Sequence, residues 1–319
     1  MAAAQKKTRA EQYLEKDDFF RRNAFLIINE MVAKSPARPS KLVDEVLHSI
    51  FFLGVIKDKP KYSPKDILDD EDVLNKLKGR YPQPFETFSS QLPKRSPFSC
   101  VLDMVVNLNG QQNEDQIKNR LKELIVDNKL QGKQLVSNTI CVSQPDMTPK
   151  SVRYYGVSMS TSGRNPGQIV VAASCLSNWD SYVADAVVTY YPLKVKKSYF
   201  DGTIKLPKQA RCEAFTLREG APMAPCRSCG NMFGLTTSEN QQWAYGNCAE
   251  AESLSNLLKN EKEMRKQVKQ PSDTCTPANR KRAVENVQKL LKQYLDKDSK
   301  EDIKLKFQWD NQFYIPQGN

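Results

Sequence analysis

The chain has 319 residues, of which 39% are hydrophobic and 27% charged, and its mean hydropathy is −0.61. That is enough apolar material for a real core in one large domain or two ordinary ones, while 13 glycines are too few for collagen-like or linker-dominated architectures. Lys and Arg outnumber Asp and Glu by 48 to 37, a formal charge of +11, which favours polyanionic partners over cationic ones.

The N-terminal MAAAQKKTRAEQ lacks the apolar core of a signal peptide. The longest apolar run, Ile50–Ile56, is far shorter than the roughly 20 residues of a membrane span. The expected setting is therefore soluble and cytoplasmic, with the nucleus as an alternative. Residues 9–56 show helical periodicity twice, through Ala24, Ile27, Ile28 and Met31 and again through Val43, Leu47 and Ile50, broken by SPARPS at 35–40. His48, the single histidine, falls in the second pattern and reads as a core-edge residue, not a ligand. Residues 57–97 are rich in proline and charge, with one short helical pattern, and read as a connector. This sets the expected division: a helical N-terminal region with its connector over 1–96, and an α/β domain over 97–319.

From Pro97 onward the pattern is mixed. FSCVLDMVVNLN reads as a strand, and NEDQIKNRLKELIVDN as an amphipathic helix capped by Asn113, with Ile117, Leu121 and Leu124 on one face. KQLVSNTICVS, VRYYGVSMSTS and GQIVVAAS read as further strands, the last two joined by a turn at SGRNPG. NWDSYVADAVVTYY reads as a helix capped by Asn178, and IKLP and CEAFTLR as short strands. Two helix starts follow, at APCRSCGNMF and GNCAEAESLSNLLK. A basic helical region, broken near Pro271–Pro277, and a final strand in LKFQWDNQFYIP complete the chain. Residues 256–306 hold 14 Lys/Arg against 8 Asp/Glu, more than half of the net charge.

Eight cysteines in a chain without a signal peptide point to free thiols or metal ligands, not disulfides. Cys100, Cys141 and Cys175 lie in apolar runs and read as small buried hydrophobes. Cys226, Cys229 and Cys248 differ. A C-x-x-C pair can offer both sulfurs to one ion from the first turn of a helix, and a cysteine at a second helix start supplies a third ligand, leaving a tetrahedral position open. Helix N-termini favour the thiolate form. Glu250, two residues after Cys248, is placed to move protons beside such an ion. Alternatives are a closed structural site with Cys212, or less readily Cys275, as fourth ligand, a redox C-x-x-C, and ordinary reduced thiols.

P-C-R-S-C at 225–229 and C-A-E at 248–250 resemble the two motifs of the zinc-dependent cytidine deaminase superfamily. The resemblance covers about 25 residues directly and, more loosely, the order of elements over 150–220. It implies a three-layer α/β/α deaminase-like sheet with an α-helical N-terminal extension. It also implies Zn2+ held by Cys226, Cys229 and Cys248, Glu250 as general acid/base, and hydrolysis of the exocyclic amine of cytosine or a related base. The motif order is inverted, since C-A-E normally precedes P-C-x-x-C, so the resemblance implies a permuted connection. Phe233, Trp243 and Tyr245 are candidates for stacking a base. Arg164 and the run Arg280, Lys281 and Arg282 are candidates for phosphate contact. Glu252 reads as a surface or capping residue. Expected partners are a nucleoside, a nucleotide or single-stranded nucleic acid, together with a homo-oligomer. The rival expectation is a catalytically silent, zinc-stabilised interaction module.

Overall fold

The computed structural model describes residues 9–35, 40–58, 60–268, 270, 272–298 and 305–318. The expectation for the extreme N-terminus and most of the SPARPS break lie outside them. Among the described residues no helix is long and apolar enough to cross a membrane.

The helical front is as expected: α1 spans Arg9–Lys34 and α2 spans Lys41–Ile56. Helix α2 is buried on nearly every side from Val43 to Ile56, the signature of a helix at the centre of a core. His48 within it is fully buried, and its ring stacks on Tyr314 at 3.8 Å, so the histidine belongs to the core. Burial pushes its pKa down to about 3, keeping the ring neutral. The segment expected to be a connector contains three short helices, α3 (Pro64–Leu68), α4 (Glu71–Arg80) and α5 (Pro82–Thr87). It contributes Ile67, Leu68, Leu77 and Tyr81 to the core.

Two expected strands are helices. FSCVLDMVVNLN forms α6, Pro97–Asn109, and GQIVVAAS lies in α8, Arg164–Ser177. Both are buried around most of their circumference, which removes the polar stripe that marks a surface helix and leaves an apolar run indistinguishable from a buried strand. Proline in the first turn of each, Pro97 and Pro166, was the available signal. SGRNPG is therefore the approach to α8, not a turn between strands.

Between them α7, Glu114–Asp127, buries Ile117, Leu121 and Leu124 as expected, although the Asn113 amide donates to the Asn109 carbonyl instead of capping. Helix α9, Ser181–Val188, is capped by Asp180, whose carboxylate accepts from the Tyr182 N–H at 2.9 Å; Asn178 instead ends α8.

Four strands form one antiparallel sheet in the order β2-β1-β3-β4: β1 is Thr139–Gln144, β2 Tyr154–Val157, β3 Arg211–Thr216 and β4 Pro222–Met223. IKLP adds no strand; Ile204 and Leu206 donate to the Met232 and Phe233 carbonyls. After β4 come α10 (Arg227–Phe233), α11 (Ala249–Asn260), α12 (Lys262–Gln267) and α13 (Pro277–Asp298). The C-terminal segment makes a single parallel bridge, Leu92 with Phe313, in place of the expected strand. It docks on α2, where the buried Asp44 carboxylate accepts from the Tyr314 hydroxyl and from the Gln317 N–H at 2.9 Å.

The overall class is thus α/β, a helix-rich body around a small antiparallel sheet. Register explains how α11 seats on that sheet. Gly156, Cys141 and Ala214 stand side by side across β2, β1 and β3, a row of small residues. Cys141 and Ala214 pack on Ala249 of α11. At Gly156 the approach is closest: a Cβ there would lie 2.2 Å from the Ser253 nitrogen and 2.6 Å from the Ala249 oxygen. Glycine in a strand often marks such an approach.

Candidate metal centre

Cys226 is the N-cap residue of α10 and Cys248 the N-cap residue of α11, both in extended backbone conformation. Cys229 follows one turn into α10. The two helix starts meet, and the three sulfurs converge: Cys226 Sγ lies 3.6 Å from Cys229 Sγ and 3.4 Å from Cys248 Sγ, and all three lie within 4.8 Å of one another. Four ligands at about 2.3 Å in a tetrahedron place sulfurs roughly 3.8 Å apart, so the donor set fits a zinc-sized ion. Cys226 and Cys229 are buried and Cys248 is partly exposed.

Sharing hydrogen bonds with Cys229 and then Cys248 holds the Cys226 thiol well below the ordinary thiol range, and the Ser228 and Cys229 amides act in the same direction. The same sharing raises Cys229 and Cys248, because three adjacent sulfurs without a cation cannot all carry charge. A divalent cation relieves that repulsion.

A fourth protein ligand does not join them among the described residues. Cys212 sits on β3 with its sulfur 3.6 Å from that of Cys141, and Cys275 lines a separate groove with Asp185 and Arg280. The closed sites weighed from sequence are therefore not formed, and one tetrahedral direction is left free of protein sulfur.

Glu250 lies in the first turn of α11 and is only 5% exposed. Burial raises its pKa, opposed in part by a hydrogen bond from the Cys229 thiol. The carboxyl therefore touches the cysteine cluster without belonging to the converging set, the placement that proton transfer beside an ion requires.

Glu252 departs from the surface role expected for it. It is buried, its carboxylate accepts from the Val157 N–H at 2.8 Å, and burial raises its pKa to about 6. With the hydrogen bond between Ser143 and Ser253 (2.6 Å) and that from Asn256 to the Tyr155 carbonyl (2.9 Å), it fastens α11 to the sheet. The sequence signal for this clamp was Gly156 between two large strand residues.

The aromatic candidates separate. Phe233 is fully buried in the core. Tyr245 is 4% exposed, with one ring face covered by Tyr190 at 4.0 Å and its hydroxyl receiving Asn231 and Gln242. Trp243 alone is largely exposed, and its carbonyl accepts from Ser228, one of the two residues between Cys226 and Cys229. Arg164 is exposed at the start of α8, remote in sequence from the cluster. On α13, Arg280 pairs with Asp185 at 2.9 Å, Arg282 lies over the Tyr199 ring at 4.1 Å, and Lys281 is exposed.

Compared with known proteins, the chain matches no family model, no curated protein and no solved structure. What stands on its own geometry is a mixed α/β protein with a three-cysteine cluster able to hold a metal ion.

Proposed function

We propose that the chain is a zinc-dependent hydrolytic deaminase acting on cytosine or a related base, built on a deaminase-like sheet whose two motif helices are supplied in permuted order. The observation that carries this reading is the meeting of two helix N-termini at three sulfurs, with no fourth ligand residue joining them among the described residues and a buried carboxyl in contact. Convergence of Cys226, Cys229 and Cys248 despite their inverted order supports it, because the chemistry needs only the meeting point and not the path of the chain. Helix α11 on one sheet face and Lys118 of α7 over the Phe215 ring on the other are in keeping with a layered sheet.

In this reading zinc supplies Lewis acidity that makes water nucleophilic near neutral pH. The chain's own residues do the rest. Cys226, Cys229 and Cys248 bind the ion, the helix N-termini stabilise their negative charge, and the Glu250 carboxyl takes a proton from the attacking water and delivers it to the departing amine nitrogen. Burial of Glu250 favours this role by bringing its protonated and ionised forms closer in energy near neutral pH.

A second reading, a zinc-stabilised module without turnover, is favoured by one observation: Cys226, Cys229 and Glu250 are each less than a tenth exposed. The test is metal content by mass spectrometry together with ammonia release from cytidine and cytosine-containing nucleotides. The deaminase reading expects about one zinc per chain, lost in Cys226→Ser and Cys248→Ser, and turnover abolished in Glu250→Ala with zinc retained. Zinc without turnover from any cytosine substrate supports the module. Absence of stoichiometric metal overturns both.

A further inference from the structure

A groove of about 430 Å³ runs between the loop after α9 and helix α13. Tyr190, Lys197 and Tyr199 line one wall, and Asn286, Lys289 and Gln293 the other; no acidic side chain is among its described lining residues. Tyr190 joins the groove to the centre, because its ring stacks on Tyr245, which lies three residues ahead of Cys248 and receives the Asn231 amide from α10 at 2.9 Å.

The groove opens on an unusual lip. Leu193, Val195 and Trp243 are 67%, 72% and 55% exposed, large apolar side chains left to solvent. They belong to two loops tied directly together, since Lys194 Nζ donates to the Gln242 carbonyl and Gln242 Nε2 donates to the Lys194 carbonyl at 3.4 Å. The Trp243 carbonyl in turn accepts from the Ser228 hydroxyl at 2.7 Å, which ties its backbone to the C-x-x-C turn of the cysteine cluster. An exposed indole, a ring-lined channel and lysines without a lining carboxylate make a surface complementary to a ligand that carries both flat apolar faces and repeated negative charge.

We infer that this lip and groove bind a single-stranded polynucleotide, with Trp243 stacking one base next to the metal centre and Lys194 and Lys289 meeting the phosphates that follow. Base stacking on aromatic side chains joined to a basic track is how strands are held without sequence preference. The exposed aliphatic residues Leu193 and Val195 pack against sugar and base edges. The inference deepens the deaminase reading by making its substrate polymeric, but binding in the groove does not depend on turnover.

The experiment measures binding of a short fluorescent oligonucleotide by anisotropy, in the Glu250→Gln background to prevent turnover, over a series of salt concentrations. Lys194→Glu combined with Lys289→Glu is expected to weaken single-strand binding tenfold or more, and to reduce the salt slope by about 1.4, two contacts at about 0.7 each. Trp243→Ala is expected to weaken it roughly tenfold. All three sites are exposed, and circular dichroism checks that the variants fold. Single-strand affinity unchanged in both variants overturns the inference, as does binding only of an acidic peptide with no oligonucleotide bound. Activity assays in the Glu250-intact protein separate the two readings. Oligonucleotide binding that the variants abolish, without ammonia release from any substrate, retains the groove and removes the deaminase. Ammonia release from free cytidine that the groove variants leave unchanged, without oligonucleotide binding, does the reverse.

Discussion

Gly156→Ala puts one methyl group where α11 meets the sheet. The added Cβ would sit 2.2 Å from the Ser253 nitrogen, 2.6 Å from the Ala249 oxygen and 2.8 Å from the Glu252 Cβ. The two closest neighbours are backbone atoms, so no side-chain rotation relieves the contact. Reaching even 3.0 Å from the Ser253 nitrogen requires a helix displacement of about 0.8 Å (3.0 − 2.2), and an ordinary 3.4 Å contact requires about 1.2 Å. A shift of that size stretches the Glu252–Val157 bond from 2.8 Å and the Asn256–Tyr155 bond from 2.9 Å beyond useful length. Overpacking costs about 1–3 kcal/mol and each of the two lost hydrogen bonds about 1 kcal/mol, so the expected loss of stability is about 3–5 kcal/mol. The displacement also exceeds the ~0.2 Å tolerance of a metal site, so Cys248 should leave the cluster and zinc affinity should fall. Urea unfolding followed by circular dichroism, with zinc content measured alongside, reads both effects. Gly79→Ala is the control: a Cβ there meets nothing within 4 Å in an exposed turn of α4, so this change should stabilise by about 0.5–1 kcal/mol. A Gly156→Ala protein with the wild-type urea midpoint and full zinc would refute the argument that α11 rests directly on β2.

Two carboxylates, Glu252 buried and Glu114 half-buried, should titrate with opposite sign. Glu252, raised by burial to about 6, binds its proton more tightly in the folded state than in the unfolded one, so its contribution to stability is fully present below about pH 4.5 and is lost as pH rises through 6. Glu252→Gln should therefore stabilise at pH 7.5, by up to about 2 kcal/mol relative to its effect at pH 4.5, and an equal effect at the two pH values would sink the assignment. At Glu114 burial is outweighed by hydrogen bonds from Arg211 and Lys118, which bring the pKa down to about 2. Its contribution is present above about pH 4.5 and fades as pH falls toward 2. Glu114→Gln should cost about 1–2 kcal/mol at pH 7, measured by urea unfolding, with a cost that shrinks in acid. Finally, a chelator should lower the thermal midpoint of wild-type protein in a zinc-reversible way while leaving Cys226→Ser unmoved; equal shifts in both would show that the cluster is not the metal site.

The parts of this protein that were legible in the sequence share one physical property: they are local. Amphipathic stripes in α7 and the front helices, the short strand-like runs that hold β1 and β3, and the helix starts at Cys226 and Cys248 all depend on neighbours a few residues away. The ligand trio itself was legible because thiols at two helix starts carry a spacing signal that survives permutation. What local pattern could not carry was anything set by burial from several sides. α6 and α8 looked like strands because each is enclosed on most of its surface, which erases the polar face by which a helix is told from a strand. Glu252 looked like a surface residue because a glutamate gives no sign that a strand N–H will meet it inside the core. Cys212 was available as a fourth ligand until register placed it beside Cys141. The sequence by itself determined which cysteines can bind a metal and that helices begin at Cys226 and Cys248. Tertiary structure alone decided that Gly156 lets α11 lie on the sheet, that Cys248 thereby reaches Cys226 across 22 positions of chain, and that one ligand direction is left to chemistry.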